Sequence, residues 1–211
     1  LVLLFLYIGY MSLHAAIELQ PEHISAYALI VEDGTRLSRQ IRDGEAARPD
    51  DDEQAEKYEL ADQTLKSAGF EWYEISNWSR DAQTRCRHNL GYWSGSNWWG
   101  IGPGAHSHIG GVRWWNVKHP RAYASRMAAE ESPAAGREVL DESTQWVEQV
   151  MLGIRCRDGV PRELLTVEAE QAAQLLVADE LLTRSDWESG RAVLTERGRL
   201  LADLVVRTIT A

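Results

Sequence analysis

The sequence predicts an α/β fold that is followed, toward the carboxyl terminus, by a small helical domain of winged-helix type. Residues 12–20 (SLHAAIELQ) have the pattern of a helix end. Residues 23–31 (HISAYALIV) are apolar on both faces, as in a strand buried in a parallel sheet. The tail has helical stretches at 142–154 and 168–182, then a short strand near 191–194. A Leu-rich helix capped by Thr195 completes this wing-like arrangement.

The chain opens with an apolar run, LVLLFLYIGYM, which precedes the first predicted helix end. This run is too short to span a bilayer and lacks the basic region of a signal peptide. We therefore expect either a core strand or the product of a cut or shifted reading frame. The next predicted element is an amphipathic helix that begins with the acidic residues 50–53, carries apolar residues at helical spacing and stops at Gly69.

Shorter elements follow in the middle of the chain. Residues 70–78 (FEWYEISNW) and 112–118 (VRWWNVK) are predicted strands, and residues 100–111 between them form a glycine-rich turn region. Residues 120–131 are predicted to be helical, and the small residues of 131–138 (ESPAAGRE) indicate a break. We expect one domain over residues 1–135 and a second over residues 136–211.

Charge and cysteine content restrict the classes of function. The net charge is -10 at pH 7 and no basic stripe is visible, which argues against a nucleic-acid partner. A winged-helix DNA-binding module is disfavoured for the same reason, since the tail mixes acidic and basic residues without a basic face. The two cysteines, Cys86 and Cys156, are far apart, which favours a reducing, cytoplasmic location.

One short stretch, CRHNLGYW at residues 86–93, combines a thiol, an imidazole, an amide and two aromatic rings. Seven of the nine tryptophans lie between residues 72 and 115, so this region contains much aromatic surface. Such rings fill a core or grip a flat ligand, and composition does not separate the two. A zinc site built from Cys86, His88, His106 and His108 would have a spacing unlike that of known structural zinc pairs.

The glycine-rich segment GIGPGAH (100–106) lacks the lysine and hydroxyl residues of a phosphate-binding loop and the dinucleotide spacing. Glycines permit a close approach of backbone to a ligand, and they equally permit a tight turn between strands. Both interpretations stay open at this level.

Three motifs together, HNLGYW, GIGPGAHS and HISAYALIVEDGT, resemble the radical SAM family of oxygen-independent coproporphyrinogen III oxidase-like proteins. The resemblance extends over about residues 12–211. His88, Asn89, Tyr92 and Trp93 match the H-N-x-x-Y-W motif that, in this family, distinguishes heme chaperones from the decarboxylating oxidases. The resemblance therefore implies a chaperone that binds heme and hands it to respiratory heme proteins. The alternative is oxidative decarboxylation of coproporphyrinogen III.

The resemblance also implies an architecture and a set of cofactors. It implies the carboxy-terminal part of a partial (β/α) barrel, whose last strand is HISAYALIV, followed by a small helical domain. Ile30 and His106 would face the S-adenosylmethionine and substrate region, and the oxidases carry an aliphatic residue in place of His106. The candidate heme ligands are His88, Cys86, Tyr92 and His106.

The sequence departs from the family in one respect. The Cys-x-x-x-Cys-x-x-Cys motif that holds the family's [4Fe-4S] cluster is absent, and two cysteines are too few for the usual ligation. We therefore expect no cluster and no radical chemistry from this chain alone, and whether it is an enzyme stays open. The resemblance leaves a dimer and membrane-associated heme acceptors open as well.

Overall fold

The computed structural model describes residues 2–211, with side chains described from residue 9 onward. The chain forms two compact units, Leu1–Cys86 and Arg87–Ala211. Within the described residues, no helix combines the length and the apolar character that are needed to cross a membrane.

The first unit packs helices against a small antiparallel sheet. Its elements are α1 (Val2–Glu18), β1 (His23–Ser25), α2 (Arg36–Arg42), α3 (Asp51–Ser67), β2 (Glu71–Glu74) and β3 (Asn77–Ser79). The strand order is β1-β3-β2, and both pairings are antiparallel. The core of this unit contains Ile24, Leu65, Phe70 and Trp78.

Helix α3 confirms the predicted amphipathic helix and shows why it forms there. The Asp50 side chain accepts a hydrogen bond of 3.0 Å from the backbone N–H of Glu53, and acidic residues occupy the first turn. Gly69 follows the helix with φ of 82°, a conformation that glycine adopts without steric cost. The indole of Trp78 donates to Asp62 over 2.7 Å and thereby joins α3 to β3 inside the core.

The structure corrects two predictions for the amino-terminal part. The predicted buried strand at 23–31 pairs only over His23–Ser25, and it pairs antiparallel. Beyond Ala26, which donates to the carbonyl of Ser76, no described strand pairs with this segment, and Ile30 is 75% exposed. The opening run, expected to be either a core strand or the product of a cut or shifted reading frame, is not a strand: it belongs to α1 from residue 2 onward, and Leu1 lies outside the described residues. This run contains several leucines, which favour helices, and α1 continues from it through Glu18 into the predicted helix over residues 12–20.

The second unit begins with a helix and a three-stranded antiparallel sheet. The elements are α4 (Arg87–Trp93), β4 (His106–Ile109), β5 (Val112–Asn116), α5 (Pro120–Ala128) and β6 (Ala134–Val139), with strand order β4-β5-β6. The segment predicted as a break thus contains β6, which pairs with β5 along its length. Gly136 suits this strand because the indole of Trp115 lies over it, where a Cβ atom would come within 2.5 Å. The predicted domain boundary at residue 135 stays a prediction.

The tail of the second unit has the predicted mixture of helices and a small β element. It comprises α6 (Glu142–Gly153), β7 (Val160–Pro161), a 3₁₀ turn (Arg162–Leu164), α7 (Val167–Ala178), α8 (Arg184–Glu188), β8 (Arg191–Ala192), α9 (Glu196–Leu200) and α10 (Ala202–Ile209). Strands β7 and β8 pair antiparallel, and α10 packs on α7. Thr195 caps α9 as predicted, since its hydroxyl accepts from the backbone N–H of Gly198 over 2.9 Å.

Candidate functional site

Helix α4 carries residues 87–93 of the CRHNLGYW stretch and presents the H-N-x-x-Y-W residues on two stripes. His88 and Tyr92 lie one helical turn apart and share an exposed stripe. Their rings meet edge to face, with centroids 4.7 Å apart and an angle of 83°. Asn89 and Trp93 share the neighbouring stripe and are half-buried. The imidazole at position 88 is therefore open to solvent while its ring is held from one side.

The ring contact between His88 and Tyr92 continues into the sheet. Trp98 meets Tyr92 edge to face at 5.0 Å, and the same indole contacts the His108 ring in a tilted arrangement at 5.0 Å. Trp98 and His108 also exchange two backbone hydrogen bonds, of 2.8 and 3.0 Å. We call His88, Tyr92, Trp98 and His108 the aromatic row, since each ring contacts the next.

His106 lies on the same face of strand β4 as His108, because residues two apart on a strand point the same way. The exposed imidazole of His106 stacks on Trp115 with centroids 6.1 Å apart and an angle of 30°. In the second unit, His88 and Tyr92 therefore reach the sheet through the ring contacts of Trp98 and His108. His106 lies on the same face of that sheet. Ile30, the other residue assigned by resemblance, belongs to the first unit.

The glycine-rich segment is fastened by polar side chains that the sequence analysis did not single out. Gly100 donates to the Ser107 hydroxyl over 2.9 Å, and the Asn116 amide donates to the carbonyl of Gly102 over 2.9 Å. A Cβ atom on Gly100 would lie 1.9 Å from the carbonyl oxygen of His106. For Gly100, the close approach is therefore to the chain's own backbone. Ser107 and Asn116 are buried polar residues, and only Asn116, which stands between a tryptophan and a valine, had a local sequence signal that could have found it.

A clamp of charged residues joins the sheet to the tail within the second unit. Arg113 on β5 pairs with Glu138 on β6 at 2.7 Å and with Glu148 on α6 at 2.8 Å. Arg113 lies directly opposite His108 in the strand pairing, so the clamp borders the aromatic row. The Nδ1 atom of His108 is buried and has no hydrogen-bond partner among the described residues. A buried nitrogen without a hydrogen-bond partner lowers the stability of the fold, and a hydrogen bond from a ligand or a water molecule would remove this penalty.

The residue that precedes α4 is anchored in the first unit. The backbone N–H of Cys86 donates to the Tyr73 hydroxyl over 3.3 Å, and the same hydroxyl lies 2.8 Å from Nε2 of His23. Burial lowers the pKa of His23 below its ordinary value of 6.5, since a charged imidazole would lose hydration there. The neutral imidazole is thus the form that suits this contact.

The donor set of the chain does not fit an iron–sulfur cluster. Cys86 and Cys156 are its two cysteines, whereas such clusters usually take three or four thiolates. Across residues 2–211, the structure has no group of three or more His, Cys, Asp or Glu side chains that is arranged to hold a metal ion.

The first unit contains an apolar cleft of about 550 Å³ that is lined by its own residues. It lies between α1, residues 26–29 and α3, and its apolar walls include Tyr10, Leu13, Tyr27 and Tyr58. Leu29 lines this cleft and Ile30 does not.

Comparison with known proteins gives a consistent group of relatives. No family model matches the chain. The chain is 52% identical over 198 residues to the heme chaperone HemW of Mycobacterium tuberculosis (strain ATCC 25618 / H37Rv), which covers 94% of this chain and 50% of that protein. It is 34% identical over 152 residues to HemW of Bacillus subtilis (72% and 40%). It is also 30% identical over 215 residues to the mitochondrial radical S-adenosyl methionine domain-containing protein 1 of Danio rerio (89% and 46%).

A solved structure shows the fold. Coproporphyrinogen III oxidase (HemN) from Escherichia coli, a radical SAM enzyme, matches with a TM-score of 0.71 and 15% identity, covering 96% of this chain and 51% of that chain. The predicted fold class is therefore confirmed. The chain spans about half the length of the curated relatives that it matches.

Proposed function

Because the chain is a homologue of the HemW proteins over the half of their length that it matches, we propose that it carries the heme-contacting part of a heme chaperone. The chaperone binds heme and hands it to respiratory heme proteins, some of them associated with membranes. Its location is cytoplasmic, and it acts as a monomer or a dimer.

The observation that supports this proposal is the aromatic row, which ends in an exposed imidazole. Heme is a large flat ring with two carboxylates and an iron that accepts imidazole, thiolate, thioether or phenolate ligands. Protein sites for such groups combine aromatic surface with a few placed polar atoms. The row supplies this combination, because His88 is exposed and its ring is backed by Tyr92.

The roles of the motif residues follow from their positions on α4. His88 ligates the iron or donates a hydrogen bond to the heme, and Tyr92 fixes its ring. Trp93 adds stacking area from the neighbouring stripe, which Asn89 shares. By the resemblance, His106 and Ile30 face S-adenosylmethionine and substrate in the longer relatives. The cysteines of this chain do not fit the [4Fe-4S] cluster of that chemistry, so no radical step is assigned to it.

The oxidase alternative is supported by the fold alone. The solved oxidase is 15% identical to this chain, whereas curated relatives that are 52% and 34% identical to it are named heme chaperones. The H-N-x-x-Y-W residues favour the chaperone over the oxidase by the resemblance.

The test is a titration of this chain with hemin, followed by the Soret band and by quenching of tryptophan fluorescence. His88→Ala should weaken binding, and it should shift the Soret band if the imidazole is axial. Trp93→Ala should weaken binding without moving the band, because the ligand field of the iron is unchanged.

The matched control is His119→Asn. His119 is an exposed imidazole that caps α5 by accepting from the backbone N–H of Arg121, and asparagine retains a capping side chain. The affinity of the His119→Asn variant for hemin should equal that of the wild type. Equal affinities and spectra in wild type, His88→Ala and Trp93→Ala would contradict the proposal.

A further inference from the structure

The position of Trp98 is fixed more firmly than that of any exposed ring on α4. Its backbone pairs with His108 through two hydrogen bonds, which extend the sheet beyond β4. The preceding residue, Asn97, accepts from the backbone N–H of Gly110 over 2.9 Å and ties the segment to the β4–β5 turn. The indole is half-buried. Trp98 therefore has the rigidity of the sheet.

Tyr92 transmits this rigidity to His88. Tyr92 is 39% exposed and stands on a helix of seven residues, so on α4 alone its ring would sample several staggered rotamers. Trp98 meets one edge of Tyr92 at 5.0 Å, and Tyr92 meets His88 at 4.7 Å, both edge to face. These two contacts select one orientation of Tyr92 and, through it, one of His88.

We propose that Trp98, which lies outside the H-N-x-x-Y-W motif, is a positioning residue that sets the orientation of the His88 imidazole through Tyr92. The proposal rests on the proposed function where it concerns heme, and on the ring contacts alone where it concerns His88 in the protein without heme. An edge-to-face pair changes a conformational equilibrium by about two- to tenfold. The loss of the Trp98 ring should therefore weaken hemin binding by a factor of about two to ten.

The test compares Trp98→Ala, Trp98→Phe and Trp99→Ala by two readouts. The first is the ¹H–¹⁵N signal of the His88 imidazole in the protein without heme, and the second is the hemin dissociation constant together with the Soret spectrum. Trp99 is the matched control, since it is adjacent and 68% exposed but its ring contacts Trp114 instead of the row. Trp98→Leu, which keeps apolar volume without an aromatic edge, replaces Trp98→Ala if the latter does not fold.

We expect Trp98→Ala or Trp98→Leu to move the His88 signal and weaken hemin binding, Trp98→Phe to restore both, and Trp99→Ala to change neither. An unchanged His88 signal in Trp98→Ala or Trp98→Leu would overturn the proposal, as would an equal shift in Trp99→Ala. If wild type fails to bind hemin while the His88 signal still moves with Trp98, the proposed function is wrong and the positioning role stands.

Discussion

Replacing Gly100 with alanine should strongly destabilise the second unit. The added Cβ would lie 1.9 Å from the His106 carbonyl oxygen, where real contacts stay above 3.0 Å, so the backbone must move by about 1 Å. Overpacking of this kind costs about 1–3 kcal/mol. The movement also breaks the hydrogen bond from Gly100 to the buried Ser107 hydroxyl, which adds about 1–3 kcal/mol. We expect a total loss of about 2–6 kcal/mol in the free energy of unfolding.

The assay is urea denaturation followed by tryptophan fluorescence. Gly91→Ala is the matched control, because Gly91 lies inside α4 and a Cβ there meets only Ser96 at 3.9 Å. Alanine favours a helix interior over glycine, so this variant should gain about 0.5–1 kcal/mol. A Gly100→Ala protein within about 0.5 kcal/mol of wild type would refute the argument that this glycine serves the chain's own backbone.

Four further substitutions test other parts of the structure. Trp78→Phe should cost about 2–4 kcal/mol in urea denaturation, because it removes buried volume and the 2.7 Å hydrogen bond to Asp62; a loss below about 1 kcal/mol would contradict the buried contact. His108→Phe should leave stability unchanged or raise it by about 1 kcal/mol, since it removes a buried nitrogen without a partner among the described residues, and a clear loss would show that Nδ1 is satisfied. Burial lowers the pKa of His23 below 6.5, so just below that value the unfolded chain binds more protons than the folded chain. The free energy of unfolding should therefore decrease as the pH falls through this window. His23→Gln should lack this decrease in urea denaturation curves measured across pH, and an equal decrease in both proteins would contradict it. The backbone N–H of Thr144 holds the pKa of Asp141 below 3.8, so the stabilising cap of α6 is present above that value and lost as pH falls through the lowered pKa; Asp141→Asn should lose this dependence, and an identical acid transition in both proteins would contradict it.

The elements that could be predicted from the sequence are those with local signals. Helix α3 has a capping aspartate, an acidic first turn and a terminal glycine, all within the helix itself, and α9 has its threonine cap. The segment 23–31 shows the opposite case. Its apolar pattern predicts a buried strand, but burial also requires a pairing neighbour, and pairing extends only as far as Ala26 in the described residues.

In the candidate site, too, the residues with local signals could be predicted from the sequence, and those that depend on distant pairing could not. The motif identified His88 and Tyr92, whose contact spans one turn of a helix. The motif did not identify Trp98, because the role of Trp98 depends on backbone pairing with His108, ten residues further along the chain. Helix α4 itself was not predicted, since glycine, asparagine, histidine and tryptophan give it little helical propensity. The packing of α4 against α6 stabilises the helix where its intrinsic propensity does not.

Heme contact by α4 can be measured by a titration of this chain with gallium protoporphyrin, a diamagnetic analogue of heme, followed by the ¹H–¹⁵N signals of the six histidine side chains. If α4 contacts heme, the His88 signals should shift first and saturate with the binding curve. His119, on α5 and outside the aromatic row, should remain unchanged. Saturable binding with an unshifted His88, or with shifts centred on His119, would contradict a heme-contacting surface on α4.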